Sequence, residues 1–166
     1  MNLISSQKNR SILGIDPGLI VTGFSIIVVQ NGKTYLKECG YLPLGSKKEI
    51  PIRIKLFYDF FKEKIEKNNI TDLALETPFL GKNSAGFLKL GYLRGILYLL
   101  KEEYDLKIHE FSPRTVKQAI TNFGGAEKEQ VLKTLLHIFP ELSTITIKKY
   151  DITDAVAVSL CAAWKN

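Results

Sequence analysis

The chain has 166 residues, 45% of them hydrophobic and 24% charged, so one domain can bury a sizeable core. The net charge of +6 favours a polyanionic partner such as nucleic acid, although a basic surface that only confers solubility fits equally well. The two cysteines lack metal-ligand spacing, and we see no secretory leader and no membrane-spanning segment. These features exclude a disulfide scaffold and predict a cytoplasmic protein without membrane contact.

Three strand patterns open the chain. Residues 12–15 form an apolar run that stops at Asp16-Pro17-Gly18, which is typical of a buried strand ended by a turn. Residues 22–30 and 33–42 are rich in β-branched and aromatic side chains and are joined by Asn31-Gly32, a hairpin signal. We therefore predict three antiparallel strands, with Asp16 at the carboxyl end of the first.

A helix and a second buried strand follow. Residues 53–67 have apolar positions at helical spacing with Lys and Glu between them, so they predict an amphipathic helix. Residues 73–75 form a short apolar strand that leads to Glu76 and breaks at Pro78. Glu76 is therefore also predicted at the end of a strand.

A long helix is predicted from residue 83 or 84 to about residue 104, and it carries apolar residues on two faces. One face can cover the sheet. The other, with Gly91 and Gly95 permitting close approach, could meet the same helix of a second copy, or could be covered within the same chain. The two faces are Phe87, Leu90, Leu97 and Leu100, and Leu88, Tyr92, Ile96 and Leu99.

The last third of the chain continues the alternation of strands and helices. Residues 107–111 predict a strand, Ser112-Pro113 the start of a helix that runs to residue 120, and residues 126–139 another helix. A final helix begins near residue 150. The fold class is therefore α/β, a mixed sheet with helices on its faces.

Four carboxylates are the candidate reactive groups. Asp16 and Glu76 follow strands whose carboxyl ends share the ligand-binding edge of an open α/β sheet. Asp151 and Asp154, three residues apart on the last helix, project from one side of it. Such a cluster calls for divalent cations, and two Mg²⁺ ions can activate water for phosphodiester hydrolysis. Taken singly, Asp16 fits a turn role, and Asp151 and Asp154 fit a helix-capping role. Glu76 fits a structural role less well, because Glu is not a favoured strand residue. The set favours a metal-dependent nuclease.

The motifs ILGIDPG at 12–18, VTGF at 21–24 and LALETPF at 73–79 resemble the RuvC family of bacterial Holliday junction resolvases. The resemblance continues in order to near the end of the chain. The further motifs are KNSAGFLKLGYLRG at 82–95, SPRTVKQAITNFGGAEKEQV at 112–131 and DITDAVAV at 151–158.

This resemblance implies a ribonuclease-H-like fold in a single domain over residues 11–166, after a short extension at residues 1–10. It also implies a homodimer that binds a four-way DNA junction and nicks two strands of like polarity symmetrically. The expected cofactor is Mg²⁺, with two ions in each active site and Mn²⁺ as a substitute. The expected setting is the bacterial nucleoid, with a branch-migration helicase complex as partner.

The resemblance also assigns roles to individual residues. Metal binding and catalysis are expected of Asp16, Glu76, Asp151 and Asp154, with Lys117 and Lys128 assisting catalysis and contacting DNA. Phe79 is expected to stack on a base near the junction centre, and Lys89 and Arg94 to contact the DNA backbone. The chain departs from the family pattern at Thr77-Pro78, Ile152-Thr153 and Leu19-Ile20, which bears on substrate handling.

Three other functions are compatible with parts of the pattern. A junction-binding protein that no longer cuts would keep the basic surface, but all four carboxylates are present. A nucleotide-binding relative of actin and sugar kinases would need a second similar domain. A metal-dependent nuclease of the same fold that acts on RNA or DNA flaps is separated from a junction resolvase by the family resemblance alone.

Overall fold

The computed structural model describes residues 9–78, 84–144 and 150–165. The strands and helices follow one another in the predicted order. The strands are β1 (Arg10–Asp16), β2 (Val21–Gln30), β3 (Lys33–Pro43), β4 (Asp72–Glu76) and β5 (Lys107–Phe111). The helices are α1 (Ile50–Asn68), α2 (Ser84–Glu103), α3 (Pro113–Thr121), α4 (Lys128–Ile138) and α5 (Tyr150–Trp164), with a short 3₁₀ helix at Pro140–Thr144.

The strands form one mixed sheet in the order β3-β2-β1-β4-β5. β1, β2 and β3 pair antiparallel, and the β2–β3 turn places Asn31 and Gly32 at positive φ. β4 pairs parallel with β1 on one side and with β5 on the other. The prediction of an α/β fold with three antiparallel strands followed by parallel ones is confirmed.

Helices cover both faces of the sheet, and strand alternation assigns each side chain to one of two cores. Leu13 and Ile15 of β1 pack with α1 and α2, whereas Ile12 packs with α3, α4 and α5. In β4, Leu73 and Leu75 face α1 and α2, while Ala74 faces α5. The two buried layers hold β1 and β4 between them, so the strands that end at Asp16 and Glu76 are covered on both faces.

The helix predicted at residues 126–139 begins later, at Lys128. Glu127 is the N-cap, and its side chain and that of Gln130 form a capping box, which satisfies backbone N–H groups at the start of α4. Ser112 caps α3 as predicted, accepting a hydrogen bond from the backbone N–H of Thr115 at 3.1 Å. The polar connection predicted after Pro140 contains one short 3₁₀ helix.

The two apolar faces predicted for α2 differ in burial. Leu93, Leu97 and Leu100 are fully buried against α1 and the sheet. Leu88 and Tyr92 are 65% and 45% exposed. In the part of the chain that the structure describes, the alternative of a helix covered on both faces within one chain is therefore wrong. Ile96, predicted on the outer face, packs partly against the core.

Residues 1–8 of the predicted N-terminal extension lie outside the described residues, and β1 already begins at Arg10. The boundary between that extension and a single domain over residues 11–166 stays a prediction. Among the described helices, none combines the length and the hydropathy that crossing a lipid bilayer requires.

Candidate active site

The N-terminal end of α5 lies directly on β1 and β2, close to Asp16. A Cβ atom at Gly14 would be 2.3 Å from the carbonyl oxygen of Ala155, and one at Gly23 would be 2.0 Å from that of Asp151. Only glycine permits this approach. Gly23 pairs with Asp16 across the two strands, so α5 delivers Asp151 to the end of β1.

The contact between α5 and the sheet is polar as well as close. The hydroxyl of Ser25 donates to the carbonyl oxygen of Ala155 at 2.9 Å and lies 2.7 Å from the hydroxyl of Ser159. All three residues are buried. Because a buried hydroxyl is costly unless it is hydrogen-bonded, this pairing favours one position of α5 along β2.

Asp16 and Glu76 end neighbouring parallel strands. Their sequence parity with Ile12 and Ala74, which pack on the α5 side, places both carboxylates on the face that α5 covers. After Asp16 the chain turns into β2, and the hydroxyl of Thr22 stabilises this turn by donating to the carbonyl oxygen of Gly18 at 2.9 Å.

Electrostatics show that the carboxylates act on one another. The pKa of Asp16 is raised to about 7, first by burial and then by repulsion from Asp154, Asp151 and Glu76. The positive charge of Lys128 offsets part of this shift. A carboxyl group with such a pKa is about half protonated at neutral pH, and a shift of this size is typical of functional sites.

Two lysines, Lys117 and Lys128, lie close enough to the carboxylates to offset part of their negative charge. The pKa of Glu76 is raised overall, first by burial and then by the charge of Asp154, and the charges of Lys128 and Lys117 offset part of this shift. Lys128 donates a hydrogen bond to Asp154 Oδ2 at 3.1 Å. Partial burial lowers the pKa of Lys128, but its bond to Asp154 and the neighbouring carboxylates outweigh that effect and raise it.

A cavity of about 220 Å³ opens between these groups. Glu76, Asp154, Lys117 and Lys128 supply its polar lining, and apolar side chains of α3, α4 and α5 complete it. Carboxylates and ammonium groups thus share one small concave surface, where an anion could be held beside a cation.

The donor set fits magnesium chemically, since it consists of carboxylate oxygens. Burial, and then repulsion among the carboxylates, raise the pKa of Asp16, and a divalent ion would relieve the repulsive part. Within the described ranges, however, no three Asp, Glu, His or Cys side chains converge closely enough to hold an ion as they stand. Like charges without a counter-ion favour separation. Ion binding would therefore require the carboxylates to move closer together.

The remaining predicted DNA contacts are placed differently from one another. Lys89 is exposed on α2. Arg94 is 7% exposed, and its guanidinium contacts the main chain of Glu76 and the carboxylate of Glu110. The prediction of a DNA-backbone contact does not suit this buried position. Phe79 lies outside the described residues, so its stacking role stays a prediction.

Sequence reasoning did not single out Phe123, which is 60% exposed on the turn between α3 and α4. This turn joins the helices that carry Lys117 and Lys128. The hydroxyl of Thr121 accepts a hydrogen bond from the backbone N–H of Phe123 at 3.2 Å, which fixes the main chain of the turn at this residue. In the sequence, the signal that could have identified Phe123 is an aromatic residue in a polar turn between Lys117 and Lys128.

The order of the strands, the helices on both faces and the carboxylates at the edge beside α5 define a ribonuclease-H-like protein. Solved structures agree on the fold. A Thermus thermophilus RuvC structure superposes with a TM-score of 0.78 at 21% identity, over 90% of this chain and 91% of that one. A yeast mitochondrial Holliday junction resolvase gives a TM-score of 0.67 at 16% identity, over 93% and 77% of the two chains.

The model of the family described as crossover junction endodeoxyribonuclease RuvC matches residues 12–162. The RuvC protein of Prosthecochloris aestuarii is 39% identical over 150 residues, which are 90% of this chain and 79% of that protein. That of Rickettsia bellii is 35% identical over 93% of this chain and 98% of its own length. The chain therefore belongs to the RuvC family, and the predicted family and fold are confirmed.

Proposed function

We propose that this protein is a Mg²⁺-dependent endodeoxyribonuclease that resolves four-way DNA junctions by nicking two strands of like polarity. The observation that carries the proposal is the electrostatic coupling of Asp16 with Glu76, Asp151 and Asp154 at one edge of the sheet. Relatives at 39% and 35% identity bear the name crossover junction endodeoxyribonuclease. A Thermus thermophilus RuvC with the same fold has been solved with a Holliday junction substrate.

Asp16, Glu76, Asp151 and Asp154 would hold the metal, with two ions in each site and Mn²⁺ able to replace Mg²⁺. Such ions lower the pKa of an attacking water and stabilise the leaving oxygen of a phosphodiester. The protein contributes the carboxylates. The close packing of α5 on Gly14 and Gly23 holds the helix that carries Asp151 and Asp154 beside the end of β1, which supports this assignment.

Lys117 and Lys128 would hold the scissile phosphate. Both act electrostatically on Glu76, and both line the cavity that contains Glu76 and Asp154. A lysine in this position can neutralise the phosphate and stabilise negative charge as it develops. Lys89, exposed on α2, would contribute a weaker contact with the DNA backbone.

A homodimer would form through the exposed face of α2. Leu88, Tyr92 and Leu99 project from this face, and a Cβ atom at Gly91 or Gly95 would meet nothing within 4 Å. Neighbouring apolar side chains on one helix, next to open space at two glycines, suit a self-complementary contact across a twofold axis. Two active sites related by that axis would account for symmetrical nicking.

The setting of this activity follows from the same family. We take the protein to act in the cytoplasm of a bacterium, on nucleoid DNA, together with a branch-migration helicase complex. The chain would work as one nuclease domain over residues 11–166, and the departures at Thr77-Pro78 and Ile152-Thr153 would modify substrate handling more than catalysis.

The decisive experiment compares a synthetic four-way junction with duplex, flap and single-stranded substrates of the same sequence. Each is incubated with the protein with and without Mg²⁺, and cleavage positions are mapped on all strands. Paired symmetrical nicks in the junction alone, only with Mg²⁺, are expected. Junction binding without cleavage would leave a junction-binding protein, and cleavage of another substrate would identify a different nuclease.

A further inference from the structure

Arg94 is a buried arginine whose contacts the proposed chemistry does not use. It lies on α2, is 7% exposed, and faces the sheet rather than solvent. Its Nη1 donates to the main-chain carbonyl oxygen of Glu76 at 2.8 Å. Burying a guanidinium is costly unless all of its neighbours are well placed, so its position calls for an explanation.

The group that Arg94 holds is the last residue of β4. The next backbone N–H, that of Thr77, donates to the carbonyl oxygen of Phe111 at 2.8 Å and attaches the chain to β5. Arg94 thus contacts the main chain where β4 ends, one residue before Thr77-Pro78. Any shift of this carbonyl would turn the Glu76 side chain relative to Asp16 and Asp154.

Arg94 is itself held from the other side. Its Nη2 forms an ion pair with Glu110, which lies on β5 opposite Leu75, and it reaches the hydroxyl of Tyr98 at 3.4 Å. Tyr98 in turn donates to Glu110 at 2.9 Å. The planar fork of an arginine can serve two acceptors in different directions at once, which a lysine ammonium cannot do with the same geometry.

We propose that Arg94, fixed by Glu110, is a positioning residue that sets the main chain of Glu76 and thereby aims its carboxylate at the metal site. It is not a catalytic residue, because its contact is with the carbonyl oxygen of Glu76 and not with the carboxylate. Nor is it a DNA contact, because its guanidinium is buried and hydrogen-bonds to protein groups, namely Glu76, Glu110 and Tyr98. The proposal rests on the proposed function for its catalytic consequence, but the contact with β4 does not.

Arg10 offers a matched control at the opposite end of the same strands. It too is partly buried, pairs with the carboxylate of Asp72, and donates to the main-chain carbonyl oxygen of Ala162 at 3.1 Å. Asp72 begins β4, whereas Glu76 ends it. Arg10→Gln should therefore lower stability as Arg94→Gln does, without disturbing Glu76.

The experiment measures Arg94→Lys, Arg94→Gln and Arg10→Gln beside the wild type under single-turnover conditions, with junction affinity determined separately without metal. We expect Arg94→Gln to cut about 10- to 100-fold more slowly and to need more Mg²⁺, since losing the support of a metal ligand has effects of that size. The cleavage rate of Arg94→Lys should lie between those of the wild type and Arg94→Gln. Junction affinity should not change, and Arg10→Gln should cut at the wild-type rate.

A second readout is independent of cleavage. Without Mg²⁺, amide hydrogen exchange at Thr77 should be faster in both Arg94 variants than in the wild type and in Arg10→Gln, because the end of β4 loses its anchor. Unchanged exchange at Thr77, or a cleavage rate no lower than that of Arg10→Gln, would overturn the proposal. If Arg94→Gln does not fold, Arg94→Lys decides by the same readouts. If the wild type cuts no DNA, the proposed function fails while exchange still decides this inference.

Discussion

Lys128 and Asp154 are joined by a hydrogen bond of 3.1 Å that connects the first residue of α4 to α5. Lys128 also lowers the pKa values of Asp16 and Glu76 through its charge. One ammonium group therefore acts on carboxylates from three separate elements. It does not restore the ordinary pKa of Asp16, which burial first, and then repulsion from the other carboxylates, keep at about 7.

Replacing any one of Asp16, Glu76, Asp151 and Asp154 with Asn or Gln should abolish junction cleavage while junction binding stays largely intact. Metal ligation needs the carboxylate charge, whereas DNA docking depends on the basic surface. Cleavage assays with Mg²⁺ and binding assays without it measure the two properties separately. Asp59→Asn, at an exposed carboxylate of α1 paired with Lys55, is the control and should cut normally. Full activity in all four variants would remove the catalytic assignment.

Lys128→Gln should reduce the cleavage rate by roughly 100-fold, the effect of removing a group that stabilises developing charge. It should also reduce by about one the slope of log binding constant against log salt, because one phosphate contact is lost. Lys55→Gln changes a lysine whose side chain is well exposed on α1 and should alter neither quantity. If Lys128→Gln behaves as Lys55→Gln does, the lysine has no part in holding the phosphate.

The stability of the metal-free protein should depend on pH through Asp16. Its pKa is about 7 when folded, against 3.8 for an ordinary aspartate, so the folded state binds the extra proton between these values. Stability therefore falls as pH rises from about 4 to about 7 and stays lower above that. Asp16→Asn should remove this loss and be more stable than wild type at pH 8, by on the order of 4 kcal/mol at most.

Urea unfolding with a metal chelator at pH 4 and pH 8 measures this difference. The advantage of Asp16→Asn over the wild type should be present at pH 8 and almost absent at pH 4. Asp59→Asn, outside the carboxylate cluster, serves as the control and should show no such advantage at pH 8. An equal effect of Asp16→Asn at both pH values would contradict the burial and repulsion that we assign to this side chain.

Phe79→Ala should impair strand scission more than junction affinity, because stacking on an unpaired base would orient the strand at the site. Phe123→Ala offers a comparison at an aromatic side chain that is exposed between the two lysine-bearing helices. If Phe123 also contacts bases, its loss should weaken junction binding without changing the cleavage rate of the bound complex. A Phe79→Ala protein that cuts at the wild-type rate would discard the stacking role.

Tyr92→Glu should convert the proposed dimer to a monomer, because a charge at the centre of an apolar contact must be desolvated when the two copies meet. Size-exclusion chromatography with light scattering measures the change. Tyr35→Glu alters another half-exposed tyrosine, on β3, and should leave the dimer intact. A wild-type protein that is strictly monomeric would contradict the dimer.

Local pattern was sufficient for much of this molecule. The hairpin at Asn31-Gly32, the N-cap at Ser112 and the strand ends at Asp16 and Glu76 lie where the sequence predicts them, because each depends on neighbouring residues. The family was also recognisable, since its motifs occur in order along the chain. The later start of α4 was not predicted. The apolar pattern alone begins at Ala126, whereas the capping box formed by Glu127 and Gln130 makes Lys128 the first residue of the helix.

The sequence by itself determined the kinds of reactive group and the strands and helix that carry them. Tertiary structure decided how those groups act on each other. The pKa of Asp16 depends on burial and on charges that lie 60 or more positions away, and the role of Arg94 depends on a main-chain oxygen 18 positions away. Both follow from the packing of α2 and α5 on the sheet, because electrostatic and hydrogen-bonding energies depend on distance in space and not along the chain.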